Sequence, residues 1–158
     1  MAKRSGGRFA ILGQVTGIDK LKKKLNQFQA EALRGQVRAV AEGVLLIHST
    51  AVQEINDNRD GTPEIRYGPK RVVVASRPGE PPNTDTGRLV QSIKFDFKNS
   101  GLIGRVGTNL KYGAWLEFGT ENTAARPWLA PAVLAASKEI AAIFEKELKG
   151  AIRDLGTK

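Results

Sequence analysis

Cysteine is absent from all 158 residues. That excludes a disulfide scaffold, a thiolate zinc cluster and a thiol nucleophile, and it fits a chain made in a reducing cytosol. Histidine occurs only at His48, and aromatic residues make up just 6% of the chain. A single imidazole with no legible Ser/Asp partner leaves acyl-transfer chemistry without visible machinery. Acidic residues are outnumbered, 16 against 25 Lys and Arg, for a net charge of +9. Long apolar runs are missing too: none approaches the roughly 20 residues that span a bilayer, so no membrane partner is expected. No apolar h-region follows the basic start, Met1-Ala2-Lys3-Arg4-Ser5-Gly6-Gly7-Arg8, so no signal peptide is expected either.

What is present suffices for a folded domain. Apolar residues make up 41% and charged residues 26%, which predicts one domain over 9–158 with a modest core, preceded by a flexible basic tail over 1–8. The positive charge is concentrated. Residues 1–40 hold Lys3, Arg4, Arg8, Lys20, Lys22, Lys23, Lys24, Arg34 and Arg38 against Asp19 and Glu31, which is +7 of the +9. Such a block suits nucleic acid or an acidic protein surface. Its bland reading is a solvated helix face and a loose tail.

Phe9 to Val15 reads as a short strand closed by Gly17. Asp19 can cap the helix that follows. Ile18, Leu21, Leu25, Phe28 and Ala32 give that helix one apolar face, and Val37, Val40, Ala41, Val44, Leu45, Ile47, His48, Val52 and Ile55 continue the spacing. Gly35 either separates two helices or weakens one; one long helix over about 18–56 is expected. The polar run 56–63 stops it. Arg71 to Ser76 is β-branched and reads as a strand. The three prolines of 77–83 demand an irregular loop. Asp85 or Thr86 can cap a short helix over 88–92. Ile93 to Phe97 and Leu102 to Thr108 form a hairpin about Asn99-Ser100-Gly101. A short helix spans Tyr112–Phe118, and a last one runs from near Pro127 to about Leu155. Its expected inner face is Leu129, Val133, Ala136, Ile140, Ile143, Phe144, Leu148 and Ile152. Strands cluster and helices flank them. The expected class is α+β, an antiparallel sheet of about four strands with long N-terminal and C-terminal helices packed on it.

Candidate sites compete with plainer readings. Asn56-x-Asn58-x-Asp60-Gly61 imitates a calcium loop, but its first position is Asn and its twelfth is Tyr67 rather than a bidentate Glu; a polar helix-ending turn explains it. Gly101 to Gly107 has phosphate-loop flavour without the Lys-Ser/Thr that such loops need, and the glycines fall inside a hairpin. His48 lies on an apolar helix face and reads as a hydrogen-bonded core residue. Glu117, between Leu116 and Phe118, has no second acid at a legible spacing, and a salt bridge to an Arg, in particular Arg126 or one across subunits, is expected. Tyr112, Trp115, Phe118 and Trp128 form a dense aromatic group. Core packing, an interface anchor and base stacking are its three readings. No catalytic residue, metal ligand or cofactor site is expected.

An ordered set of motifs runs through the chain. Val15-x-Gly17-Ile18-Asp19-x-Leu21-x-x-x-Leu25 opens it. Ala75-Ser76-x-Pro78-Gly79-Glu80-Pro81-Pro82 and Asp85-Thr86-Gly87-x-Leu89-x-x-Ser92-Ile93 follow. Val106-Gly107-Thr108, Tyr112-Gly113-x-Trp115-Leu116-Glu117-Phe118-Gly119-Thr120 and Ala125-Arg126-Pro127-Trp128-Leu129-x-Pro131-Ala132 complete it. In this order the chain resembles the head–tail joining, or tail-completion, family of long-tailed (siphovirus-type) bacteriophages, prophages and gene-transfer particles. Trp128 stands where Phe is common, and the basic segment before Phe9 is not part of the pattern.

The resemblance implies a non-enzymatic virion protein of the neck, made in the bacterial host cytoplasm and forming a ring, commonly six-fold. Its partners would be further copies of itself, a head-closure or portal-side ring, and a tail-terminator or tail-tube protein, with transient contact to passing DNA. Arg77, Pro78, Glu80, Pro81 and Pro82 on the stiff loop, with Tyr112, Trp115, Glu117, Phe118, Arg126 and Trp128, are the expected subunit or partner contacts. Loops 77–84 and 119–125 are expected to reach neighbours, because neither carries much to bury against its own core. Lys3, Arg4, Arg8, Lys20, Lys22, Lys23 and Lys24 would face DNA or an acidic partner. The rival function is a small basic nucleic-acid-binding module, whose binding would be salt-sensitive; a hydrolase has no constellation to support it.

Overall fold

The computed structural model of the protein describes residues 17–57, 59–65 and 72–156. The expected strand at 9–15, the tail 1–8 and with it Lys3, Arg4 and Arg8 lie outside the described residues. In chain order the elements are α1 (Ile18–Asn56), β1 (Gly61–Ile65), β2 (Val72–Ser76), α2 (Arg88–Ser92), β3 (Ile93–Lys98), β4 (Ile103–Thr108), α3 (Lys111–Phe118) and α4 (Ala130–Gly156). A 3₁₀ turn at Asn99–Gly101 links β3 to β4. The class is α+β with long helices at both ends of the described chain, as the patterning predicts. The four strands divide into two antiparallel pairs. β1 runs against β2 with Gly61 opposite Ser76, and β3 against β4 with Ile93 opposite Thr108.

α1 is unbroken through Gly35, and it packs against α4. The reason is a seam of small residues. Gly35, Ala39, Gly43 and Ala51 are buried on α1, and Ala132, Ala136 and Ala151 on α4. A Cβ at Gly35 would lie 3.5 Å from Glu147, and one at Gly43 would lie 3.4 Å from Ile140. These pairs set an antiparallel register, and small side chains let the helices approach closely. Arg38 clasps the same level, its guanidinium 2.7 Å from the Glu147 carboxylate. The start of α1 departs from expectation. Gly17 is its N-cap in the left-handed region (φ 99°), with no side-chain cap. Asp19 is already inside the first turn, past the position from which a side chain bonds the free N–H groups of N2 and N3. At α2 the N-cap position is likewise a left-handed glycine, Gly87, while the Thr86 hydroxyl, one residue earlier, accepts from the first helical N–H, that of Arg88, at 3.4 Å.

β1 falls where the sequence reads as a helix-ending turn. Pro63 suggested a loop, but it stands opposite Val74 in the middle of a two-stranded ladder, in which both strands are edge strands and a missing N–H is tolerated. Gly61 is required there: a Cβ would lie 1.8 Å from the Ala75 carbonyl oxygen. Side chains cover part of β2. Asn83 Nδ2 donates to the Val74 carbonyl at 3.0 Å, and Arg126 Nε to the Ser76 carbonyl at 3.0 Å. Acceptors occupied in this way are closed to strand addition.

The core gathers at the C-terminal end of α1. Ala51, Ile55, Leu89, Ile93, Trp128 and Ala132 are its buried members, with Val52, Val90, Val106, Tyr112, Leu116 and Leu129 packed around them. His48 donates to or accepts from nothing catalytic. Its Nε2 lies 3.3 Å from the Ile93 carbonyl, and its ring meets Phe95 edge-on at 5.5 Å. Gly104 belongs to packing, not phosphate binding. A Cβ there would come within 2.0 Å of Val44 Cγ2, so the bare backbone lets β4 lie against α1.

Burial on the long helices differs from the expected stripes. Val133, Phe144, Leu148 and Ile152 stay exposed on α4, while the alanines are buried. On α1, Leu45, Leu25, Leu21 and Ile18 are exposed. Periodicity placed mostly large apolar residues on the inner face. Close packing of two helices instead selects small ones, which turns part of the large-residue stripe outward.

Candidate docking site

α3 and the first turn of α4 are locked together by one carboxylate. Glu117 Oε2 accepts from the backbone N–H of Trp128 at 2.8 Å and of Leu129 at 2.9 Å, and Oε1 accepts from Ala130 N–H at 2.9 Å. Free N–H groups at a helix start need such an acceptor, and the positive end of the helix dipole favours a negative one. Glu117 therefore caps α4 from another helix, and among the described residues of its own chain no Arg pairs with it. The helix also begins later than expected. Pro131, rather than Pro127, lies in its first turn, where a proline forfeits no needed donor.

Arg126 turns the other way. Its backbone N–H donates to the Leu116 carbonyl at 2.7 Å, and its Nε to the Ser76 carbonyl at 3.0 Å. Gly79 N–H donates to the Ala125 carbonyl at 2.8 Å. Loops 77–84 and 119–125 are thus tied to each other within one chain. Pro81 and Pro82 are buried in their own subunit, so the expectation that they reach a neighbour is corrected: apolar rings packed inside leave nothing to offer outside. Arg77 and Pro78 are exposed and Glu80 is half-buried, its carboxylate accepting from Arg77 N–H at 3.2 Å. Residues 120–124 are exposed.

The aromatic group splits. Trp128 is 2% exposed, and its indole N–H donates to the Gly113 carbonyl at 3.0 Å. It is core, not a partner contact, because its ring and its one donor are both satisfied inside the chain. Tyr112 is half-buried. Trp115 is 56% and Phe118 82% exposed. These two are three residues apart on α3 and so share a face. Leu134 near the start of α4 is 73% exposed. Apolar side chains of this size left in water make this face the candidate contact surface.

Beside Trp115 lies a groove of about 660 Å³, lined among others by Ile55, Leu89, Tyr112, Trp115, Ser76 and Arg126. That volume is in the range of ligand-binding clefts. The Ser76 hydroxyl is buried and has no hydrogen-bond partner. Sequence reasoning missed this groove because its walls come from α1, β2, the proline loop and α3, which no local spacing connects. Lys20, Lys22, Lys23 and Lys24 are exposed on the first turns of α1, far from it along the helix. Among the described residues no cluster of His, Cys, Asp and Glu could hold a metal ion, and no helix is long and apolar enough to cross a membrane.

A family model described as "Bacteriophage HK97-gp10, putative tail-component" matches residues 19–119. The match runs from the first turn of α1 through the end of α3, well over half of the chain. The chain belongs to this bacteriophage tail-component family. The HK97-gp10-like match agrees with the resemblance carried by the ordered motifs, and it takes in Glu117, Trp115 and Phe118 while ending before Arg126 and α4. No curated protein and no solved structure matches the chain.

Proposed function

We propose that this tail component is a structural protein of the phage neck, a symmetric ring, six-fold in the reading favoured here, that completes the tail and joins it to the DNA-filled head. It acts without catalysis. The observation that carries the reading is the apolar surface that one subunit leaves uncovered. Ile18, Leu21 and Leu25 at one end of α1, Phe144, Leu148 and Ile152 on α4, and Trp115, Phe118 and Leu134 at the other end are all exposed. Surfaces that extensive are covered by assembly in a soluble particle. Their location at both ends of an elongated helix pair suits head-to-tail contacts, in which different patches meet and close a ring.

The subunit offers a rigid body for such a ring. The two long helices and the clasp of Glu117 hold α3 in one orientation, so the exposed Trp115 and Phe118 are ordered before contact and little entropy is lost on docking. The head-side ring and the tail-tube or tail-terminator protein would use the faces that ring closure leaves free. Lys20 and Lys22 to Lys24 are surface charges that suit an acidic rim or passing DNA. A basic nucleic-acid-binding module would use the same lysines, but the two most exposed aromatics, Trp115 and Phe118, lie toward the opposite end of α1, so those two form no combined stacking and phosphate surface with them.

Phages lacking this protein should accumulate DNA-filled heads and separate tails. Supplying the protein in an extract should join them and restore infectivity. Joined, infectious particles in its absence would overturn the assignment.

A further inference from the structure

Two guanidinium groups line the groove beside Trp115 without a counter-charge. Arg126 is half-buried, and its one side-chain bond among the described residues runs from Nε to the Ser76 carbonyl at 3.0 Å. Arg88 lines the same groove and is exposed. Among the described residues no carboxylate forms an ion pair with either. Glu117 is committed to the start of α4. Asp85, the one acid among the described lining residues, already has an interaction of its own. The lining therefore presents two unpaired positive charges and one engaged negative charge. A guanidinium drawn partly out of water is normally paired, and the free N–H groups of Arg126 form a fork that fits a carboxylate.

A second observation, independent of charge, falls on the residue that holds Arg126. Ser76 is 3% exposed and lines the groove, yet its hydroxyl has no hydrogen-bond partner. Buried polar groups are almost always satisfied, so an orphaned hydroxyl in a groove wall marks a place where a ligand atom completes the bonding. The other walls set what lies next to that atom. Ile55 and Leu89 are core residues that surface in the groove, and Trp115 adds an exposed aromatic edge. Thr86, Asn122 and Thr123 are exposed polar groups along it that can bond peptide amides.

We infer that the groove docks an acidic, apolar segment of another protein, with a carboxylate seated between the Arg126 fork and the Ser76 hydroxyl and an aliphatic residue beside it on Leu89 and Trp115. It is recognition of an acidic motif by arginine, with an apolar wall to select the neighbouring side chain. All the named groups belong to one chain, so the contact goes beyond the ring reading and does not depend on it.

Calorimetric titration of the full-length protein with the peptide acetyl-Ala-Leu-Glu-Leu-Ala-amide tests the site. The same peptide with Gln in place of Glu should bind at least about tenfold more weakly. Arg126→Gln should lose that preference, and Arg126→Glu should shift it to the version with Lys. Ser76→Ala separates a ligand site from a structural one. It removes a hydroxyl that makes no bond in the free chain, so the urea midpoint should hold or rise, whereas affinity for the Glu peptide should fall about fivefold. Thermal unfolding of each variant shows that the fold is intact. No binding of the Glu peptide at millimolar concentration would overturn the site, as would equal affinity for the Glu and Gln peptides. So would a folded Arg126→Gln that binds like wild type, or a Ser76→Ala that loses stability with unchanged binding. Hexanoate bound as tightly as the peptide would show a pocket for a small carboxylate and overturn the docking role.

Discussion

Trp128→Ala should lower the unfolding free energy by about 4 kcal/mol, measured as a shift of the urea midpoint at unchanged slope. The ring is almost completely buried among Ala51, Ile55, Leu89, Ile93 and Ala132. Removing it opens a cavity where α1, α3 and the start of α4 meet, and long helices cannot collapse into it. Trp128→Phe keeps most of the apolar volume but loses the indole donor, leaving the Gly113 carbonyl without that bond. Its cost should be about 1–3 kcal/mol, the penalty for an unsatisfied buried acceptor. A loss below about 1 kcal/mol for the alanine variant would mean that the residue is a surface anchor after all.

Glu117→Ala should cost about 3 kcal/mol. Three backbone donors lose one carboxylate at once, and the first turn of α4 has no other side-chain cap to replace it. The effect should be local as well as global. Amide exchange at Trp128, Leu129 and Ala130 should rise far more than exchange in the α1–α4 seam. Glu117→Gln keeps an acceptor without the charge and should retain about half of the stability lost by the alanine variant. An alanine variant that unfolds like wild type but fails to assemble would return Glu117 to the intersubunit role that its sequence context suggests.

These two residues show what the sequence made legible. The length of α1, the hairpin about Asn99 to Gly101, α3 and the α+β class followed from apolar spacing and turn chemistry, which act over a few residues. Glu117 did not, because its cap reaches 11 to 13 residues forward to another element, beyond the three-residue reach of a capping box. β1 was hidden by Pro63, whose tolerance depends on β1 being an edge strand, which only the pairing reveals. The inner faces of α1 and α4 were misread for a related reason. Periodicity reports that a face is apolar but not whether it meets a partner helix in the same chain or another subunit. Leu148 and Ile152 fit the pattern and stay exposed, while Ala132 and Ala151, outside it, are buried.

The groove shows the same limit from the other side. Arg126 stood out as an arginine ahead of Pro127, but its meaning depends on the commitment of Glu117 to α4 and on the burial of Ser76. Both are tertiary facts. The ordered motifs nevertheless included Arg126, while the family match over 19–119 agrees with those that precede it.

The central claim is that copies of this chain form a ring between head and tail. Electron cryo-microscopy of intact virions, averaged at the neck, tests it most directly. The account predicts a closed ring at the junction whose repeating unit fits the antiparallel α1–α4 pair. Neck density that cannot hold this helix pair, with copies of the chain found instead along the tail tube or at the tail tip, would contradict it.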